Sequence, residues 1–115
     1  MEGRPVPAAR MTRRQVQTRN ITDQAKRYLA YKEAVGWAAK AAGIKLIEGN
    51  VKVEILLFLH GNNEGDIDNY AKAILDGLNG IAYKDDKQVS ELYLKKIKVE
   101  SKDNQSAVIV IERAE

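Results

Sequence analysis

The sequence predicts an α+β domain in which two helices pack on a small mixed, mostly antiparallel sheet. Three observations carry this. Residues 24–42 run without a helix breaker between Thr22-Asp23 and Gly43. Val51, Val53, Ile55, Leu57 and Leu59 alternate at the two-residue period of a strand, and Ile67, Tyr70, Ala71, Ile74, Leu75 and Leu78 recur at the three- and four-residue steps of an amphipathic helix. At 115 residues the chain can bury one modest core but not two, so a single domain is expected over residues 1–115.

In chain order, Pro5 and Pro7 forbid a helix at the start, which reads as a short extended piece running into a basic loop. Arg10, Arg13, Arg14 and Arg19 in and after that loop are candidates for phosphate contacts, although a solvated basic tail explains them equally well. In the helix over 24–42, Ala25, Tyr28, Leu29, Val35 and Ala39 form one apolar stripe. Ala30, Ala34, Trp37 and Ala41 form a second, flatter one. A helix with two apolar faces either lies deep in a core or meets a partner, so homodimerisation through Trp37 stands beside plain packing on the domain's own sheet.

The strand over Val51–Leu59 is expected to be central, with Leu56 and Phe58 implying cover on its second face. His60 has no partner at metal-ligand spacing and reads as a strand-end residue. A loop over 61–65 leads to a helix over 68–79, capped by Asp68 and stopped at Asn79-Gly80. The strand over 89–100 changes phase, Leu92 and Leu94 against Ile97 and Val99, which predicts a β-bulge near Lys95-Lys96. Lys95, Lys96 and Lys98 read as a solvated face or as DNA contacts. The turn over 102–105 then returns a strand over 107–112 as a hairpin partner.

Composition bounds the function. There is no cysteine, which excludes disulfides, zinc–thiolate sites and thiol catalysis. No apolar run is long enough to span a bilayer and no signal-peptide pattern is present, so a cytoplasmic protein without a membrane partner is expected. The formal net charge of +3 is unevenly spread: residues 1–48 hold ten Lys or Arg against four acids, and residues 49–115 hold nine against twelve. A positive leading part beside an acidic half suits a protein that attracts a polyanion and then acts on it.

The acids of residues 66–86 are the chemical centre. Asp68, Lys72 and Asp76 fall four apart on one exposed helix side, with Asp66 just ahead. Asp85 and Asp86 follow a short turn, and a chain reversal there would bring Asp86 back toward Asp66 and Asp68 as a carboxylate cage. Crowded carboxylates repel unless a cation sits among them, and an all-oxygen donor set favours Mg²⁺, with Mn²⁺ as a substitute. Lys72 stands one turn from Asp68, placed to offset phosphate charge. Taken singly, a helix cap, a surface ion-pair row and a turn account for these residues. Taken jointly, with acids on both sides of one short helix, they point to a metal site.

The pattern Asp66-x-Asp68-Asn69-x-x-Lys72-x-x-x-Asp76, followed by Asp85-Asp86-x-Gln88-Val89, resembles the signature of the RusA family of Holliday-junction resolvases. The resemblance implies a small RusA-like homodimeric endonuclease that cuts four-way DNA junctions with Mg²⁺ during DNA recombination and repair. It assigns Asp66, Asp68 and Asp86 as metal-binding acids and Lys72 as the functional lysine, with Asn69, Asp76 and Asp85 as supporting positions. Relatives carry Arg or Lys in the loop that here holds Glu64, which shifts the expected DNA contacts toward the amino-terminal arginines; that arm itself departs from the family pattern where Ala8 and Met11 stand in place of more basic or Pro character. The alternative is a non-catalytic nucleic-acid-binding module with structural acids. A calcium loop fails on spacing, because Tyr70, Ala71 and Gly77 occupy positions it reserves for other residue types. A nucleotide-sugar transferase using Asp-x-Asp requires a larger domain.

Overall fold

A computed structural model describes residues 1–9, 22–61 and 65–114. Thr22 starts helix α1 (Asp23–Ala41), its hydroxyl accepting from the Ala25 amide at 3.1 Å, and the left-handed Gly43 follows its end. Strand β1 (Val51–Leu59), helix α2 (Ile67–Leu78), strand β2 (Val89–Lys98) and strand β3 (Ser106–Arg113) complete the order, with 3-10 turns at Asp86–Gln88 and Lys102–Asn104.

The sheet has the order β2-β1-β3, with β1 parallel to β2 and antiparallel to β3. It is therefore mixed, and β1 is central as its composition predicts. The hairpin expected between the last two strands does not form, because β3 crosses to the far side of β1. Every second residue of β1 is fully buried, so β1 gains most from neighbours on both sides, while the lysine-bearing β2 is left at an edge. Parallel β1 and β2 require a crossover, which α2 provides.

The predicted bulge at Lys95-Lys96 is also absent. Register shifts instead between Val51 and Lys52, where Ser90 is the extra residue, and runs regularly from Lys52–Glu91 to Leu59–Lys98. Lys96 thus occupies a position on the helix-covered face. It resolves the conflict by extending its ammonium to the Gly65 carbonyl at 2.9 Å, over the Tyr70 ring at 5.3 Å. Lys96 is consequently an internal brace rather than a surface lysine.

Both helices lie on one face of the sheet. Val53, Ile55 and Leu57 meet Tyr70, Ile74 and Leu78 of α2 and Tyr28, Tyr31 and Val35 of α1 in one core. The opposite face has no covering layer among the described residues: Leu56 and Phe58 are half-buried, and Tyr93, Val108 and Val110 are exposed. The expected second cover is not found among the described residues. The opening segment is extended, held by a bridge between Glu2 and Ser106 and by hydrogen bonds between Met1 and Ala107. His60 sits at a strand end as predicted, its ring nitrogen 3.2 Å from the Val99 carbonyl.

The helices cross closely at two glycines. A Cβ on Gly77 would lie 2.7 Å from the Lys32 carbonyl oxygen and 2.9 Å from Val35 Cβ, and one on Gly36 would lie 2.9 Å from the end of Ile81. Gly77→Ala should therefore destabilise the fold by about 2 kcal/mol, because backbone as well as side chain must shift. Urea unfolding checks this; an unchanged midpoint would show that the crossing tolerates a methyl group.

Candidate functional site

Helix α2 begins two residues earlier than its sequence pattern implies, with Asp66 rather than Asp68 at the N-cap position. Asp66 makes no side-chain capping bond, and the Asp68 carboxylate accepts from the Asn69 amide at 3.1 Å. Asp66, Asp68, Asn69 and Lys72 are all exposed. Two carboxylates at a helix N-terminus are favoured by the unpaired amides there, so their placement costs little.

Asp76 is held differently. Lys72 lies 3.6 Å from its carboxylate, and the Tyr28 hydroxyl donates to it at 2.8 Å from α1. Burial and that carboxylate push the Tyr28 hydroxyl up to about 12. Tyr28 is a site residue that its place in an apolar stripe concealed.

The acidic turn is built around Gln88. The Asp85 side chain accepts from the Lys87 amide, and the Gln88 carbonyl oxygen accepts from the Lys84 and Asp85 amides, a capping box. The Gln88 amide donates to the Ile47 and Gly49 carbonyls at 2.8 and 2.9 Å, tying the turn to the loop between α1 and β1. The spacing Asp85-x-x-Gln88 is itself the capping signal, so this role was readable. Beneath the turn, the Tyr83 ring is fully buried and its hydroxyl donates to the Leu75 carbonyl at 2.7 Å. Burial, then the charges of Asp86, Asp76 and Asp85, push that hydroxyl up.

Asp85 and Asp86 hydrogen-bond to each other through their side chains. Donation from the Lys87 amide holds Asp85 below the usual carboxylate range, whereas the bond to Asp85, slight burial and repulsion from Asp85 and Asp76 push Asp86 above it, with Lys72 opposing.

The acidic turn packs on α2, and Asp86 lies beside Asp85 and within the field of Asp76 and Lys72. Asp66 and Asp68 lie at its start, with Asp68 about 12 Å from Asp76 along the axis at ~1.5 Å per residue. Among the described residues, no three His, Cys, Asp or Glu form a ready cation cage. The donor set nevertheless suits a hard divalent cation: every candidate is a carboxylate, and the mutual repulsion at Asp86 is what such a cation relieves.

Arg10, Arg13, Arg14 and Arg19 lie outside the described residues. The segment leading to them is placed: Pro7 packs on Gly65, where a Cβ would approach within 3.0 Å, and the Ala8 amide donates to the Asn69 carbonyl at 2.9 Å. The chain therefore arrives beside the first turn of α2 just before its arginines.

Gln88→Ala leaves two carbonyls and the Lys84 amide without their partner. It should lower stability by about 1 to 3 kcal/mol, read by urea unfolding, whereas wild-type stability would show that the turn does not depend on this residue.

The family model for endodeoxyribonuclease RusA matches residues 2–112. A comparison with curated proteins finds no match. Spanning nearly the whole sequence and the acidic elements described above, the match establishes that this chain belongs to the RusA endodeoxyribonuclease family.

Proposed function

We propose that this chain is a Mg²⁺-dependent, structure-specific endodeoxyribonuclease that resolves four-way junctions during DNA recombination and repair, acting in the cytoplasm as a homodimer. The observation that carries the reading is the acid and lysine face of α2, set beside the Asp85-Asp86 turn in a chain of this family. Asp66, Asp68 and Asp86 would hold the cation, Mg²⁺ or Mn²⁺. When bound, the cation polarises the phosphodiester and activates water.

The chain's own residues do the rest. Lys72, whose side chain is 64% exposed, offsets charge on the phosphoryl oxygens. Asp86, pushed above the usual carboxylate range, has to be ionised to hold the cation, so loading would be opposed by low pH. Asp76, braced by Tyr28 and Lys72, keeps the Asp86 side of α2 negative. Arg10, Arg13, Arg14 and Arg19 contact duplex phosphates and leave sequence unread.

Asp68→Asn should cut a synthetic four-way junction at least about 100-fold more slowly with Mg²⁺ while binding it as well as wild type. Undiminished cutting would defeat the assignment of Asp68. Junction binding without Mg²⁺-dependent nicking in the wild-type protein would favour the non-catalytic module.

The dimer is supported by the open sheet face. Register places Tyr93, Glu54 and Val110 in one row across the strands and Lys95, Leu56 and Val108 in the next. A two-fold axis lying across the strands sets one row over the other in a second copy, Val110 on Val108 and the Tyr93 ring on the Lys95 stem, with the Lys95 ammonium in reach of Glu54. Val110→Lys should convert a species of twice 12.9 kDa to the monomer by sedimentation, and a wild-type monomer at micromolar concentration would reject the pairing.

A further inference from the structure

The stripe of Ala30, Ala34, Trp37 and Ala41 is left exposed on α1, and Trp37 is 63% accessible. Its ring stands clear of small neighbours, since Ala34 and Ala41 occupy the positions three before and four after it. The ring is also oriented: its Nε1 faces the Glu33 carboxylate at 3.5 Å, and the Lys40 ammonium lies 5.0 Å from its centroid. A large aromatic side chain fixed in water by two side chains is poised for a ligand.

Its surroundings identify the ligand's chemistry. Trp37, Lys32 and Lys40 line a shallow groove of about 260 Å³ whose other wall includes Asp76 and Ile81. Asp76 belongs to the acid and lysine face of α2, so the groove reaches one end of that face. An exposed aromatic ring in a groove that two lysines also line, Lys40 beside the ring and Lys32 over Tyr28, matches a nucleotide, with the base on the ring and the flanking phosphates on the lysines. A paired base in a duplex keeps its faces covered by neighbours, whereas the nucleotides at a branch point are the ones that can unstack.

We propose that Trp37 is a stacking platform for an unpaired nucleobase at the branch point, with Lys32 and Lys40 holding the adjoining phosphates beside the acidic site. Trp37 is then a positioning residue that selects branched over linear DNA. This rests on the nuclease reading above, and the test separates the two.

Trp37 is the only tryptophan, so its emission reports on this groove alone. In the Asp68→Asn protein with Mg²⁺, a fluorescently labelled four-way junction is titrated while label anisotropy and Trp37 emission are followed together. The junction should quench Trp37 strongly and a linear duplex of the same sequence only weakly. Trp37→Ala should weaken junction binding about tenfold and Trp37→Phe should restore most of it. Saturating anisotropy with unchanged emission, or equal quenching by junction and duplex, would overturn the platform and leave the nuclease reading intact. A junction that never binds would sink both. A fall in sedimentation mass for Trp37→Ala would assign this face to a second copy of the chain instead.

Discussion

The close crossing of α1 and α2 is the constraint from which the rest of the molecule follows. At Gly36 and Gly77 neither helix has a side chain, and the space that a Cβ would need on Gly77 is taken by the Lys32 carbonyl and Val35. Both helices can therefore lie on a sheet of only three strands and still share one core. The same approach carries Tyr28 to Asp76 and sets Lys32 and Trp37 beside the acidic wall. A wider crossing would leave Asp76 with Lys72 alone and would open the groove.

The carboxylates are then divided by their partners. Asp76 has a hydroxyl and an ammonium, so its charge is supported. Asp85 has a backbone amide. Asp86 has mostly acids, which push it above the usual carboxylate range. Asp66 and Asp68 are exposed at a helix start, where amides favour negative charge. Two rigid anchors hold this arrangement: β1, which runs toward α2, and Gln88, which binds the acidic turn to the loop before β1.

The sheet shows how burial outranks local pattern. Lys96 faces the helices, an unfavourable position for a charge, and its long side chain escapes to the Gly65 carbonyl. That contact ties the β2 edge to the loop that presents Asp66. The apparent phase change in β2 was a lysine in an inward position, not a bulge. Similarly, β3 follows β2 by a short turn yet pairs with β1, because β1 is the strand whose apolar residues demand two neighbours.

What the sequence by itself determined is local: the periodic elements, their caps and stops, the central rank of β1 and the acidic pattern that carries the family resemblance. Periodicity and capping depend on neighbours a few residues away, so Thr22 and the alternation of 51–59 could be read directly, while the cap of α2 fell at Asp66 rather than Asp68 and the Asp85-x-x-Gln88 box was read only as a turn. Only the tertiary structure decided the strand order, the inward Lys96, the bracing of Asp76 by Tyr28 and the packing of the acidic turn on α2. Each of these joins residues distant in the chain, and the energies that choose among such pairings are burial and electrostatics between surfaces that exist only once the chain has folded.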